Sequence, residues 1–189
     1  MRSDNLYQLP ADLPVPQDDG ACAHLTGMRL PQVSLRSTAG RNVDLSALKG
    51  RAVVYIYPRT GRPDEESPPG WNAIPGARGC TPQSCAFRDH YQDLQRAGAG
   101  HVFGLSAQST ADQREAAQRL HLPFELLTDE GLEFARALKL PTFDVAGMRL
   151  IKRMTLISRD GTIEKVFYPV FPPDRNAEDV LAWLAAQRR

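Results

Sequence analysis

Two cysteines five residues apart, Cys80 and Cys85, stand in the run Gly79-Cys80-Thr81-Pro82-Gln83-Ser84-Cys85-Ala86-Phe87-Arg88-Asp89, where a Pro/Gly-rich loop gives way to an amphipathic pattern. Thiols so placed can serve as a nucleophile, as metal ligands or as a redox pair. Thr81 has the side chain of an N-cap, and Pro82 suits the first helical position, whose N–H a helix cannot satisfy anyway. On this reading Cys80 stands at the mouth of a helix. There the unpaired N–H groups and the positive end of the helix dipole favour the thiolate, which is the nucleophilic form. Cys85 falls in the second turn. Five residues along an ideal helix give a rise of about 7.5 Å and a rotation of about 140°, which sets the Cα atoms roughly 8–9 Å apart. A disulfide seldom spans more than ~7 Å. A bond between these two cysteines therefore requires the first turn to unwind, and would act as a switch.

A nucleophilic thiolate needs a cation, and Arg153 is the distant candidate. The stretch from Ile151 to Ile157 carries apolar residues on both faces and reads as a buried strand, where an arginine is costly unless it meets an anion or several acceptors. Its guanidinium is expected to face the thiolate and an anionic transition state. Lys152 next to it is the alternate candidate, and an arginine facing solvent at a frayed strand end is the plainer reading. Zinc is a rival use of the thiols, but Cys22 and His24 with Cys80 and Cys85 lack the short paired spacings of structural sites. Cys22 reads as an ordinary free thiol. A cysteine hydrolase would need a histidine beside the nucleophile, and His90, His101 and His121 show no such spacing.

The elements that must position these groups follow from pattern. Residues 1–28, with Pro10, Pro14 and Pro16 and little periodicity, read as an irregular arm, and 29–189 as one folded domain. Pro31–Leu35 and Arg41–Leu45 alternate around Thr38-Ala39-Gly40 as a hairpin. Ala52–Tyr57 is a continuous apolar run ended by Pro58, the pattern of a central strand buried on both faces. Residues 59–79 form a long Pro/Gly-rich insertion, a lid or binding loop by length, with Trp71 as its anchor. A helix then presents Ser84, Phe87, Tyr91 and Leu94 on one face and ends by Gly98. After it come a strand (His101–Leu105), a helix (Thr110–Leu120), a short strand (Phe124–Leu127) and a helix (Leu132–Leu138). Arg153–Ser158 and Thr162–Tyr168 flank Asp160-Gly161, a strong hairpin signal. The last helix is expected to be capped by Asn176, to bury Ala177, Val180, Leu181 and Leu184, and to end at Arg188-Arg189. This order, βαβ then a linking helix then ββα, predicts an α/β, thioredoxin-like fold: a central mixed sheet with helices on both faces and an N-terminal hairpin extension.

With 23 basic and 22 acidic residues among 189, and no long block of either sign, the chain shows no electrostatic footprint for nucleic acid or anionic membranes. No apolar stretch is long enough to span a bilayer, and residues 1–7 do not read as a signal peptide. A cytoplasmic, reducing setting is expected, in which a close cysteine pair is catalytic or metal-binding more often than structural.

The segment Gly79 to Asp89 resembles the peroxiredoxins, and within them the Q-type, bacterioferritin-comigratory-protein branch. The likeness continues through Ala97-Gly98-Ala99 and Gly104-Leu105-Ser106, and covers most of the chain from about residue 29. Pro75-Gly76-Ala77, and Lys152-Arg153-Met154-Thr155 with Asp160-Gly161, look more like the type-five branch. The resemblance implies a thiol peroxidase in which Cys80 is peroxidatic and Cys85 resolving, joined in a disulfide during turnover, with Arg153 as the active-site arginine. It implies hydrogen peroxide or organic hydroperoxides as substrate, thioredoxin or glutaredoxin as reductant, no metal or organic cofactor, and a monomer or homodimer. One departure stands out. The family pattern Pro-x-x-x-Thr-x-x-Cys places a threonine three residues before the cysteine, and here Ala77-Arg78-Gly79 precede Cys80. Thr60, folded back from Pro58-Arg59-Thr60, is the expected stand-in, with Arg78 or the Thr81 hydroxyl as weaker substitutes. A non-catalytic redox sensor or interaction module on the same fold is the alternative.

Overall fold

The computed structural model describes residues 4–187. The hairpin signal around Thr38-Ala39-Gly40 becomes β1 (Ser34–Ser37) and β2 (Asn42–Asp44), paired antiparallel. The apolar run becomes β3 (Arg51–Ile56). It is followed by α1 (Cys80–Asp89), α2 (Tyr91–Arg96) and β4 (Ala99–Ser106), and β4 lies parallel to β3. Next come α3 (Thr110–Arg119), β5 (Leu126–Thr128) and α4 (Glu133–Leu138). A hairpin of β6 (Thr142–Val145) and β7 (Met148–Ile151) stands apart as a two-stranded sheet. The chain closes with β8 (Met154–Arg159), β9 (Thr162–Phe167) and α5 (Asn176–Ala186).

The main sheet has the order β2-β1-β5-β4-β3-β8-β9, with parallel pairing at β3–β4 and β4–β5 and antiparallel pairing elsewhere. Alternation along β3 assigns its side chains to two cores. Val53 and Tyr55, with Tyr57 beyond the strand end, pack with Phe87, Leu94, Ala116, Val180 and Leu184. Val54 and Ile56 face the opposite side with Leu35, Phe103, Phe134, Leu138 and Leu156. A strand covered on both faces can carry no polar alternation, which is why its sequence is uniformly apolar. This is the mixed, thioredoxin-like α/β sheet that the element order predicts. Residues 4–28 form turns and extended segments over the sheet, burying Leu6, Cys22 and Leu25.

Four local expectations need correction. The helix after Cys80 is two helices, broken at His90 (φ −95°, ψ 6°), and Phe87 and Leu94, one on each, are both buried. The strand expected from Ile151 to Ile157 is interrupted at Lys152-Arg153, where β7 leaves its own hairpin and β8 enters the main sheet. Asn176 does not cap α5. A short 3₁₀ turn, Pro173–Arg175, leads into that helix, and the Asn176 side chain is instead buried among polar partners. Thr81 is not an N-cap either, for a reason that belongs to the site. The Arg188-Arg189 end expected for the last helix lies outside the described residues.

Candidate active site

The mouth of α1 is set by Gly79. Its φ of 111° is the left-handed region that favours glycine, and it serves as N-cap, so the helix begins at Cys80, before the residue a hydroxyl cap would select. A Cβ at Gly79 would meet Pro173 Cγ at 2.6 Å and Leu9 Cδ2 at 2.8 Å, so the position is closed to larger residues by packing as well. Thr81 consequently sits inside the first turn, 2% exposed, with its hydroxyl oxygen lacking any hydrogen-bond partner. Pro82, also in that turn, has no N–H to leave unpaired. Cys80 is 3% exposed and packs in the core beside Tyr55, Tyr57 and Phe87. The face-to-face stack of Tyr55 on Phe87, centroids 4.4 Å apart, fixes α1 against β3 behind the sulfur.

Arg153 lies between β7 and β8 and is 3% exposed. Its Nη2 reaches Cys80 Sγ at 3.1 Å and also donates to the carbonyls of Ala77 (3.0 Å) and Arg78 (3.3 Å). Nε donates to Gly76 O at 3.2 Å, and Nη1 to Gln83 Oε1 at 2.5 Å. The guanidinium thus holds the loop that delivers Cys80 and the sulfur itself. A buried cation with this many acceptors is desolvated at tolerable cost, and its planar fork is the shape that can bind them together.

Behind Arg153 lies a polar chain that sequence reasoning did not find. Gln83 Nε2 donates to Asn176 Oδ1 at 2.9 Å, and Thr155 Oγ1 donates to the same oxygen at 2.6 Å. An acceptor oxygen on Asn176 faces the NH₂ of Gln83, which turns the Gln83 carbonyl toward Arg153. The available signal was the i, i+3 spacing of Cys80 and Gln83, which puts both on one face of a helix. Gln83→Met removes the acceptor for a buried cation, an interaction on the order of 1.5–3 kcal/mol. The rate of reaction of reduced protein with hydrogen peroxide, measured by stopped flow, is expected to fall about ten- to hundredfold if that loss is felt in the transition state.

Cys85 is half-buried on the second turn of α1 and is a free thiol, as are Cys80 and Cys22. Burial raises the Cys85 thiol above its ordinary value, opposed by Arg88 and Arg119. Cys22 is elsewhere, in the other core, with its sulfur 3.8 Å from Met154 Sδ. Burial, aided by Asp19 and Asp18, pushes its thiol up to about 12. Among the described residues no three His, Cys, Asp or Glu side chains gather into a group that could hold a metal ion. Thr60 is 2% exposed and its hydroxyl and N–H both donate to Gln108 Oε1, at 3.2 and 2.9 Å. Its neighbours Arg59 and Gly61 line the cleft over Cys80, and Thr60 itself does not. Arg78 also lines that cleft, and its guanidinium is engaged by the Asp4 carboxylate and the carbonyl of Asn5. Thr81 does line the cleft, together with Cys80, Gly79 and Trp71.

The chain that builds this site, a buried thiol at a helix mouth gripped by an arginine, is similar to known proteins. Residues 25–181 match the Redoxin family. Peroxiredoxin Q of Gentiana triflora, a chloroplastic protein, is 31% identical over 185 residues, covering 95% of this chain and 77% of that protein. Peroxiredoxin Q of Sedum lineare, also chloroplastic, is 33% identical over 159 residues, covering 84% and 76%. The crystal structure of peroxidoxin BcpB from Mycobacterium tuberculosis superposes with a TM-score of 0.71 at 24% identity, over 88% of this chain and 100% of that one, a likeness of fold. The chain belongs to the peroxiredoxin family, on its Q-type branch. Its activity is that of a thiol-dependent peroxidase, an oxidoreductase.

Proposed function

We propose that Cys80 is the peroxidatic residue, Cys85 the resolving one and Arg153 the stabiliser of charge in the reaction. The Cys80 thiolate attacks the terminal oxygen of hydrogen peroxide or an organic hydroperoxide. The O–O bond breaks, the leaving hydroxide or alkoxide takes up a proton, and sulfur is oxidised by two electrons to a sulfenic acid. Arg153 Nη2, already on the sulfur, opposes the negative charge that spreads over sulfur and both oxygens. Cys85 then attacks the sulfenic sulfur as thiolate, the Cys80–Cys85 bond forms and water leaves. A dithiol reductant, thioredoxin or glutaredoxin, returns both thiols by two exchanges. The observation that carries this reading is the 3.1 Å approach of a buried arginine to a cysteine at a helix mouth.

The hydroxyl that orients the peroxide we assign to Thr81 in preference to Thr60, since the Thr81 oxygen is buried at the cleft without a partner and that of Thr60 is engaged by Gln108. Three free thiols fit a reducing compartment such as the cytoplasm, and a monomer or homodimer suffices because both cysteines lie on one helix. No helix among the described residues is long and apolar enough to cross a membrane. The test is to treat reduced protein with substoichiometric hydrogen peroxide and map thiols by mass spectrometry. Cys80 and Cys85 are expected to disappear together into one intramolecular disulfide. A disulfide that includes Cys22, or one between chains, would overturn the assignment.

A further inference from the structure

The segment Asp4–Leu9 crosses the mouth of α1, and the chemistry above gives it no part. Leu6, 8% exposed, lines the cleft over Cys80. Leu9 packs where a Cβ at Gly79 would stand. One buried cation ties the segment down: Arg78, 4% exposed, pairs with the Asp4 carboxylate and donates to the carbonyls of Asn5 and Gln8. Farther out, Arg119 reaches the Tyr7 hydroxyl at 3.4 Å. Within the segment itself the backbone makes two short-range bonds around Asn5, Gln8 N–H to Asn5 O and Tyr7 N–H to Asn5 Oδ1. The strap is therefore held to the domain by Arg78, by Arg119 at its outer edge and by the seating of Leu6 and Leu9.

With Leu6 in place the cavity at Cys80 has a volume of about 20 Å³. That is room for roughly one water-sized molecule, the scale of hydrogen peroxide, whereas a cumyl group is many times larger. We propose that this strap is a size gate on the peroxide: Leu6 closes the cleft to bulky hydroperoxides, and the Arg78–Asp4 pair latches it. This rests on the reading of Cys80 as the peroxidatic thiol. A large hydroperoxide gains access only when the strap lifts, so its rate carries the cost of breaking the latch, and that of hydrogen peroxide does not.

The quantity that tests the gate is the ratio of second-order rate constants for cumene hydroperoxide and hydrogen peroxide with the reduced full-length protein. In Leu6→Ala that ratio is expected to rise about tenfold or more, the size of discrimination a few methylenes provide. In Asp4→Asn, which leaves the cleft lining intact, it is expected to rise severalfold. An unchanged or lowered ratio in Leu6→Ala overturns the gate. A raised ratio there with none in Asp4→Asn overturns the latch, and if Leu6→Ala does not fold, an unchanged ratio in Asp4→Asn overturns the proposal by itself. Cys80→Ser separates the two levels: consumption of either peroxide by that variant counts against the peroxidatic reading and says nothing against the strap.

Discussion

Arg153→Met is expected to slow the reaction of the protein with hydrogen peroxide by about 10²–10³-fold, the usual cost of deleting a preorganised donor aimed at developing charge. The group is buried, so water cannot replace it, and its Nη2 is 3.1 Å from the reacting sulfur. The substitution also strands the carbonyls of Gly76, Ala77 and Arg78 and the amide oxygen of Gln83, and so costs stability, on the order of 3–5 kcal/mol for a broken buried ionic network. Arg153→Lys distinguishes the two effects. An ammonium keeps the charge but cannot span sulfur, three carbonyls and Gln83 together. It should recover part of the rate while the denaturant midpoint stays low. Stopped-flow peroxide kinetics and urea unfolding of the same three proteins make the measurement, and equal rates in all three would remove Arg153 from the chemistry.

Cys85→Ser is expected to abolish sustained turnover with a dithiol reductant and to leave the oxidised protein carrying a Cys80 sulfenic acid, detectable by a dimedone adduct. In the unmutated protein oxidation should cost helix. The two cysteines are too far apart on α1 to bond while it is wound, so far-ultraviolet circular dichroism of the oxidised form should show lower helicity, and an unchanged spectrum would refute the unwinding. The pH dependence has a definite sign. Burial raises the Cys85 thiol, so at neutral pH it is protonated in the folded reduced state. Condensation proceeds through the thiolate, whose fraction grows with pH, so disulfide formation should accelerate as pH rises above neutrality. Unwinding exposes Cys85 and removes the desolvation that raised it, so the same motion that brings the sulfurs together also activates the second one.

What could be read from the sequence divides along physical lines. The two-faced strand at Ala52–Ile56, the Asp160-Gly161 hairpin and the helix after Cys80 were legible because periodicity and turn chemistry are local. Arg153 was legible because burying a cation requires a partner. The β6–β7 hairpin was not seen: its turn is Ala146-Gly147, without the Asn or Asp that usually marks such a turn, and it carries Ala146 at φ 48°. Thr81 and Asn176 misled for a shared reason. Their side chains suit caps, but a left-handed glycine and a 3₁₀ turn started those helices, and the polar atoms were drawn into the site or the core. Leu6 was invisible in principle. An isolated leucine in an irregular, proline-bearing segment has no pattern, and only the folded chain shows that it lines the same cleft as Cys80.

Cys22 sits beneath the sheet, away from the reacting pair, with a thiol that stays protonated to about 12. An alkylating reagent can reach it when the segment of residues 4–28 that carries it lifts from the sheet, while Cys80 and Cys85 report on the helix mouth. The rate at which Cys22 is labelled is therefore a built-in clock for lifting of that segment, readable in the same mass spectrum that follows the redox cycle.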